Sequence, residues 1–317
     1  MRSRSRATRA VPPTDDGSWL IVGAGALGQL FAASLARRFP IVLLGRQAAE
    51  SPIHLRRPDG ETLRIAVPRQ RPAAWAADRT STAVPTLVVL ATKSHDAMAA
   101  LDALAPRLAP ATPLLLVQNG FRTQPAISER WAGPVLCAST TEAAYRPPPG
   151  PQSPDVVHAA TGTTWIGDLA DHHFALATSV ARRLDQAGIA ATPCRDIRRH
   201  LWHKLAVNAV INPLTACHRV PNGALARPAF RPRVTALVAE IERIMHAEGV
   251  APPPQGWQAL IDGVIQATAS NHSSMLQDVL ANRPTEHDAI LGPLVEASLR
   301  HRLDAPELQA LWRAASA

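Results

Sequence analysis

Lysine occurs at only two positions, Lys93 and Lys204, among 33 Lys and Arg residues. Where arginine serves as the generic cation, a retained lysine is a candidate for proton transfer. An ammonium can have its pKa lowered and give up its proton, whereas a guanidinium stays charged. Two chance survivors is the alternative, so the setting of each lysine has to decide. Lys204 lies in LWHKLAVNAVINPLTA, residues 201–216. That stretch is apolar nearly all round, the pattern of a buried helix. Asn208 and Asn212 follow Lys204 at i+4 and i+8 and share its face. Lysine and asparagine are rarely buried without partners, so the stripe lines either a polar network between helices or a ligand cleft. The stripe itself leaves both open. In a cleft, the ammonium and amides could hold a small carboxylate and hydroxyl and supply a proton. Pro213 removes one helix hydrogen bond and biases Asn212 away from helical geometry, which predicts a kink there. His203 and His272 are rival proton donors, titrating nearer neutrality; His203, one residue from Lys204, points to another helix face.

A second constellation suits a phosphate. The apolar run Trp19–Val22 leads into Gly23, Ala24, Gly25, Ala26, Leu27 and Gly28, then a helical pattern. Gly23 permits a tight turn, Gly25 lets a pyrophosphate approach the backbone, and Gly28 lets helix and strand pack closely. Amides at the helix N-terminus complete an anion site. The next strand ends in Gly45-Arg46. An acidic residue there would favour NAD; Arg46 suits a 2′-phosphate and points to NADP. Lys93 and Asn119 each follow a further strand, at the rim where such sheets bind ligands.

Three downstream groups are ambiguous. Asn222, in Pro221-Asn222-Gly223, reads as a turn residue. Ser273 and Ser274 precede a helix and suit N-capping. Glu286, after Pro284-Thr285, suits the first turn of a helix. Each could instead face a ligand.

The elements that must position these residues follow from the pattern. Strand-like runs at Trp19–Val22, Ile41–Leu44, Thr86–Ala91, Pro113–Val117 and Pro134–Ala138 alternate with helical stretches at Leu27–Arg38, His95–Leu108 and Gln124–Trp131. This predicts a doubly wound parallel sheet. Asp155–Ala160 and Thr163–Ile166, joined at a Thr-Gly turn, read as a later hairpin. The stretch from Gln47 to Arg79 carries little signal. Beyond about residue 195 the patterns are helical. The expected class is α/β, with an N-terminal Rossmann-like domain (18–195), an all-helical C-terminal domain (196–317) and a disordered basic tail (1–17).

Composition excludes several classes. At 317 residues, 46% hydrophobic and 18% charged, the chain is an ordinary globular mix. No apolar run approaches the roughly 20 residues of a membrane span. The net charge of +8 is spread along the chain without a nucleic-acid motif. An anionic cofactor and substrate account for part of it. Cys137, Cys194 and Cys217 show no metal or redox spacing and cannot all pair, which suits a reducing, cytoplasmic setting.

Together these segments resemble the ketopantoate reductase (2-dehydropantoate 2-reductase) family over nearly the whole chain, from Trp19 to about Trp312. The carriers are the glycine turn, Lys93, Gln118-Asn119-Gly120, Thr140 to Ala144, Lys204 to Thr215, Pro221 to Gly223, Ser273 to Asp278, and Thr285-Glu286. The resemblance implies NADPH-dependent reduction of 2-dehydropantoate to (R)-pantoate, with a site in the cleft between the two domains. It implies that Gly23 to Gly28, Arg46, Lys93, Asn119, Ala144 and Glu286 contact or orient NADPH. It further implies Lys204 as general acid, with Asn208, Asn212, Asn222 and Ser274 on the substrate. The expected partner is a small 2-oxo acid, with no metal, nucleic acid or membrane, in a monomer or homodimer. Reduction of a different 2-oxo acid, and a non-catalytic NADP-binding sensor, are the competing readings.

Overall fold

The computed structural model describes residues 17–48, 51–78, 84–148, 150 and 152–316. The basic tail read from the sequence therefore lies outside the described residues, apart from Gly17. The chain divides into two compact units. Of the described residues, the first holds those up to Thr92, within 96–118 and within 127–197; the second holds Lys93–His95, Asn119–Ala126 and those from Arg198 onward.

The first unit is built on β1 (Trp19–Val22), β2 (Ile41–Leu44), β3 (Ile53–Arg56), β4 (Thr62–Ile65), β5 (Arg69–Gln70), β6 (Leu87–Leu90), β7 (Leu114–Leu116), β8 (Val135–Thr140), β9 (Ala143–Tyr145), β10 (Val156–Ala160), β11 (Thr164–Gly167) and β12 (Ala191–Pro193). The helices along the chain are α1 (Ala26–Ala36), α2 (Pro72–Ala77), α3 (Ser94–Leu104), α4 (Thr123–Arg130), α5 (Phe174–Gln186), α6 (Ile197–His218), α7 (Arg231–Ala247), α8 (Trp257–Ala267), α9 (Ser274–Leu280), α10 (His287–Arg300) and α11 (Pro306–Ser316). The main sheet has the order β12-β11-β8-β7-β6-β1-β2-β5. Its strands from β5 to β8 run parallel; all but the two-residue β5 are largely apolar and buried, as expected of strands covered on both faces. The expected doubly wound α/β class is what the chain forms. One core joins Trp19, Ile21, Phe31, Leu43, Leu115 and Val180.

The expected hairpin does not form. β10 pairs with β3 and β9 in a separate four-stranded sheet, whereas β11 joins the main sheet antiparallel to β8. The linker's hydrogen bonds explain the split. Thr141 N–H donates to the Thr163 carbonyl (3.0 Å), and Thr163 N–H donates to Thr141 Oγ1 (2.9 Å). A Cβ on Gly162 would fall 2.4 Å from the Thr141 backbone carbon. The linker is thus held against residues 141–142, which carries β11 onto β8. On the other side, His54 N–H donates to the Asp155 carboxylate (2.8 Å) and Asp155 N–H to the His54 carbonyl (2.9 Å), fastening β10 to β3. The 47–79 stretch, unread in the sequence, supplies β3, β4, β5 and α2. Its signal was an Asp59-Gly60 turn between the pairs Ile53, Leu55 and Leu63, Ile65.

The second unit is helical and contains no strand among the described residues. Its core joins Trp202, Leu205, Val210, Ile241, Trp257 and Leu294. α6 runs unbroken from Ile197 to His218 with Pro213 inside it, so the expected departure from helix at Asn212 does not occur. Among the described residues no helix is long and apolar enough to cross a membrane.

Candidate functional site

In the first unit the glycine turn has the geometry its sequence requires. Gly23 has φ +111, and a Cβ there would stand 2.7 Å from the Ala91 carbonyl. A Cβ on Gly28 would lie 1.8 Å from the Gly23 oxygen. Gly25 is the opposite case: nothing lies within 4 Å of its Cβ position, and it caps the 11-residue α1. Open space beside helix-terminal amides fits an approaching pyrophosphate. The Gln29 amide braces the turn by donating to the Ala24 carbonyl (3.0 Å). Arg46, beyond β2, is 93% exposed and touches Asp96 at 3.3 Å. Ala144 sits in β9 opposite His158, whose ring lies 2.5 Å from the buried Glu142 carboxylate.

The second unit gathers the lysines and acids. Gly120 has φ +84 and abuts α10 so tightly that a Cβ would meet the Ala289 oxygen at 2.1 Å. Phe121 N–H donates to the same oxygen (3.0 Å), and its ring packs on Trp202 at 5.2 Å. These contacts bring Asn119 to the start of α10, where Glu286 is the buried cap residue. The Glu286 carboxylate accepts from Ser94 N–H (2.9 Å), Lys93 Nζ (3.4 Å) and Asn119 Nδ2 (3.4 Å). Lys93 also donates to the buried Asp278 at 2.6 Å, and Asp278 takes Arg283 Nε at 3.1 Å. Sequence reasoning quoted Asp278 but gave it no role; its signal was an acid on a short, mostly apolar helix.

Environment separates the two lysines. Burial works against the charge of Lys93, but Glu286 and Asp278 outweigh it and hold the ammonium above the ordinary lysine range. Burial also dominates at Lys204, opposed only by the field of Glu286, and lowers its pKa to about 8. Lys93 is therefore a fixed cation, and Lys204 is an amine that exchanges its proton around pH 8.

The rest of the predicted set is distributed around α6. Lys204 and Asn208 are partly buried and Asn212 is buried, while Leu205, Ala206, Ala209 and Val210 fill the core. Thr215 Oγ1 donates to the Ile211 carbonyl (2.7 Å) and lies 2.7 Å from Ser273 Oγ, which accepts from Leu276 N–H (3.1 Å). This relay fixes the start of α9 on α6. Ser273 is thus the capping serine, and Ser274 is exposed. Asn222 Nδ2 donates to Thr268 Oγ1 (2.9 Å), while its Oδ1 is buried without a partner among the described residues. A free, buried acceptor fits a ligand hydroxyl. The structure thus joins Lys93, Asn119 and Glu286 by hydrogen bonds and puts Lys204 in the field of Glu286. It shows no hydrogen bond from Asn208 or Ser274 to that cluster. His203 is removed as a proton donor: its ring packs on Trp257 at 5.0 Å, with Nε2 2.8 Å from the Ala251 carbonyl. A cavity of about 420 Å³ on that side, bounded by Glu242, His246 and Trp257, is lined by none of the predicted residues.

Comparison with known proteins shows the family. Residues 19–171 match the family described as ketopantoate reductase PanE/ApbA, and residues 196–317 match ketopantoate reductase PanE/ApbA C terminal. The 2-dehydropantoate 2-reductase of Vibrio cholerae is 34% identical over 297 residues, covering 93% of this chain and 95% of that protein. The chain belongs to the ketopantoate reductase family. It is thereby an oxidoreductase. Another relative of this family, the 2-dehydropantoate 2-reductase of Halobacterium salinarum, is 33% identical over 92% of this chain and 95% of its own. Among solved structures, the 2-dehydropantoate 2-reductase from Geobacter metallireducens superposes with a TM-score of 0.83 at 23% identity, covering 94% of this chain and 99% of that one. D-mandelate dehydrogenase with NADH and anilino(oxo)acetate gives 0.81 at 20% identity, covering 94% and 97%. The ketopantoate reductase fold thus extends to a dehydrogenase of another name.

Proposed function

We propose that this member of the ketopantoate reductase family reduces 2-dehydropantoate to pantoate with NADPH, using Lys204 as general acid. The observation that carries the reading is Lys204 itself: a partly buried amine on α6, lowered to about 8 by burial and held from falling further by Glu286. The residues that would hold NADPH are the Gly23–Gly28 turn and Arg46, with Lys93, Asn119, Ala144 and Glu286 completing the set. The bound cofactor supplies the hydride. The protein supplies the rest. As the substrate carbonyl is reduced, negative charge develops on its oxygen. Lys204 stabilises that charge and donates the proton, a contribution typically of about 10²–10⁴-fold. Asn208, Asn212, Asn222 and Ser274 hold the substrate carboxylate and hydroxyl. The fixed charge of Lys93 is held between the acids Asp278 and Glu286.

The direct test is NADPH consumption with 2-dehydropantoate, compared with NADH and with a panel of other 2-oxo acids. The dehydrogenase neighbour, solved with NADH, makes the panel and the second cofactor necessary. In Lys204→Arg the charge stays and the transferable proton is lost. Turnover is expected to fall by about 10² or more while NADPH binding, measured by titration, changes little. Equal turnover in that variant refutes the assignment. NADPH binding without oxidation by any 2-oxo acid would make the chain a sensor instead.

A further inference from the structure

The segment between residues 47 and 79, mute in the sequence, brings a second arginine to the rim of the glycine turn. β5 runs parallel to β2 with Gln70 opposite Leu44, and Gly45 N–H donates to the Gln70 carbonyl at 3.0 Å. The residues that follow, Gly45-Arg46 on one strand and Arg71 on the other, therefore stand side by side. They lie at the carboxyl end of the parallel sheet, the end at which doubly wound folds bind ligands. Gly45 packs against the glycine turn: a Cβ there would fall 2.8 Å from the Ala24 Cβ. One short path thus connects the pyrophosphate turn, Arg46 and Arg71.

Neither guanidinium is held in a buried pair. Among the described residues Arg46 meets Asp96 in an exposed ion pair, a kind that solvent and competing anions weaken readily. Arg71 is exposed and has no acidic partner among the described residues. Its backbone is extended (φ −80, ψ 142) between β5 and the proline that opens α2, so the root of the side chain is fixed while its tip is free.

We propose that Arg71 is a specificity-determining residue that, with Arg46, takes the adenosine 2′-phosphate of NADPH. The inference rests on the NADPH reading above and names a residue that carries it. Two planar forks can share the oxygens of a single phosphate monoester. A nucleotide with a free 2′-hydroxyl offers them nothing to bind, so discrimination follows.

Titration calorimetry with 2′,5′-ADP and with 5′-AMP tests this without any turnover. The wild type is expected to prefer 2′,5′-ADP. Arg71→Ala is expected to weaken 2′,5′-ADP by about tenfold and to change 5′-AMP by less than about twofold. Arg71→Lys, which keeps a charge but not the fork, falls between. The double variant with Arg46→Ala loses the preference. If Arg71→Ala keeps the wild-type preference while Arg46→Ala loses it, Arg71 is overturned and the NADPH reading stands. If the wild type binds both nucleotides alike, both are overturned. Equal loss of both nucleotides in Arg71→Ala marks structural damage and removes the assignment to the phosphate.

Discussion

Two lysines of the same chain are driven in opposite directions, Lys204 down by burial and Lys93 up by its carboxylate partners, and the difference is measurable. Lys204, with its pKa near 8, works as an acid only while protonated. kcat/KM for reduction is therefore expected to be level below pH 8 and to fall about tenfold per pH unit above it, with the reverse oxidation rising through the same range. Glu286 raises the Lys204 pKa, so Glu286→Gln should move the break to lower pH. A break that stays in place would sink the electrostatic link between them. Stability follows the same linkage. The folded pKa lies below the ordinary lysine value of 10.5, so the folded state resists the charge. The penalty is complete below about pH 8 and fades as pH rises towards 10.5. Lys204→Met is accordingly expected to melt higher than wild type at pH 7, and differential scanning calorimetry reads this. Much of this site was legible because scarcity marked both lysines and spacing marked the asparagines. Asp278 was not, because its bond to Lys93 joins residues 185 apart and only the tertiary fold makes them neighbours.

At the scale of elements, a few backbone positions hold the acid cluster together. Gly120 combines a left-handed φ with backbone contact to Ala289, so Gly120→Ala has no comfortable conformation. A loss of roughly 1–3 kcal/mol is expected in denaturant unfolding, together with weaker NADPH binding as Asn119 shifts from Glu286. Unchanged stability and affinity would show that the segment adapts. The strands and helices around the glycine turn were readable from aliphatic runs and small residues. The partners of β10 and β11 were not. A Thr-Gly linker looks like a hairpin turn locally, and what overrides it is a set of hydrogen bonds between Thr163 and Thr141, 22 residues earlier. Asn212 stays helical before Pro213 for a related reason: packing of α6 outweighs the local preference.

The whole molecule carries a net charge of +8, while the proposed cofactor and 2-oxo acid are both anions. Long-range attraction is expected to speed their encounter. Raising NaCl from about 0.05 to 0.5 M, which shortens the Debye length severalfold, should lower kcat/KM for NADPH more than kcat. A salt-independent kcat/KM would leave the excess charge without a role in catalysis. The margins of the main sheet have a separate consequence. One side ends in the two-residue β5, set between Pro68 and Pro72, and the other in the three-residue β12, which finishes on Pro193. A neighbouring polypeptide arriving at either margin finds a strand too short, and too poor in free amides, to template another. The brevity of these outermost ribbons guards a strongly aliphatic sheet against fibrillar growth.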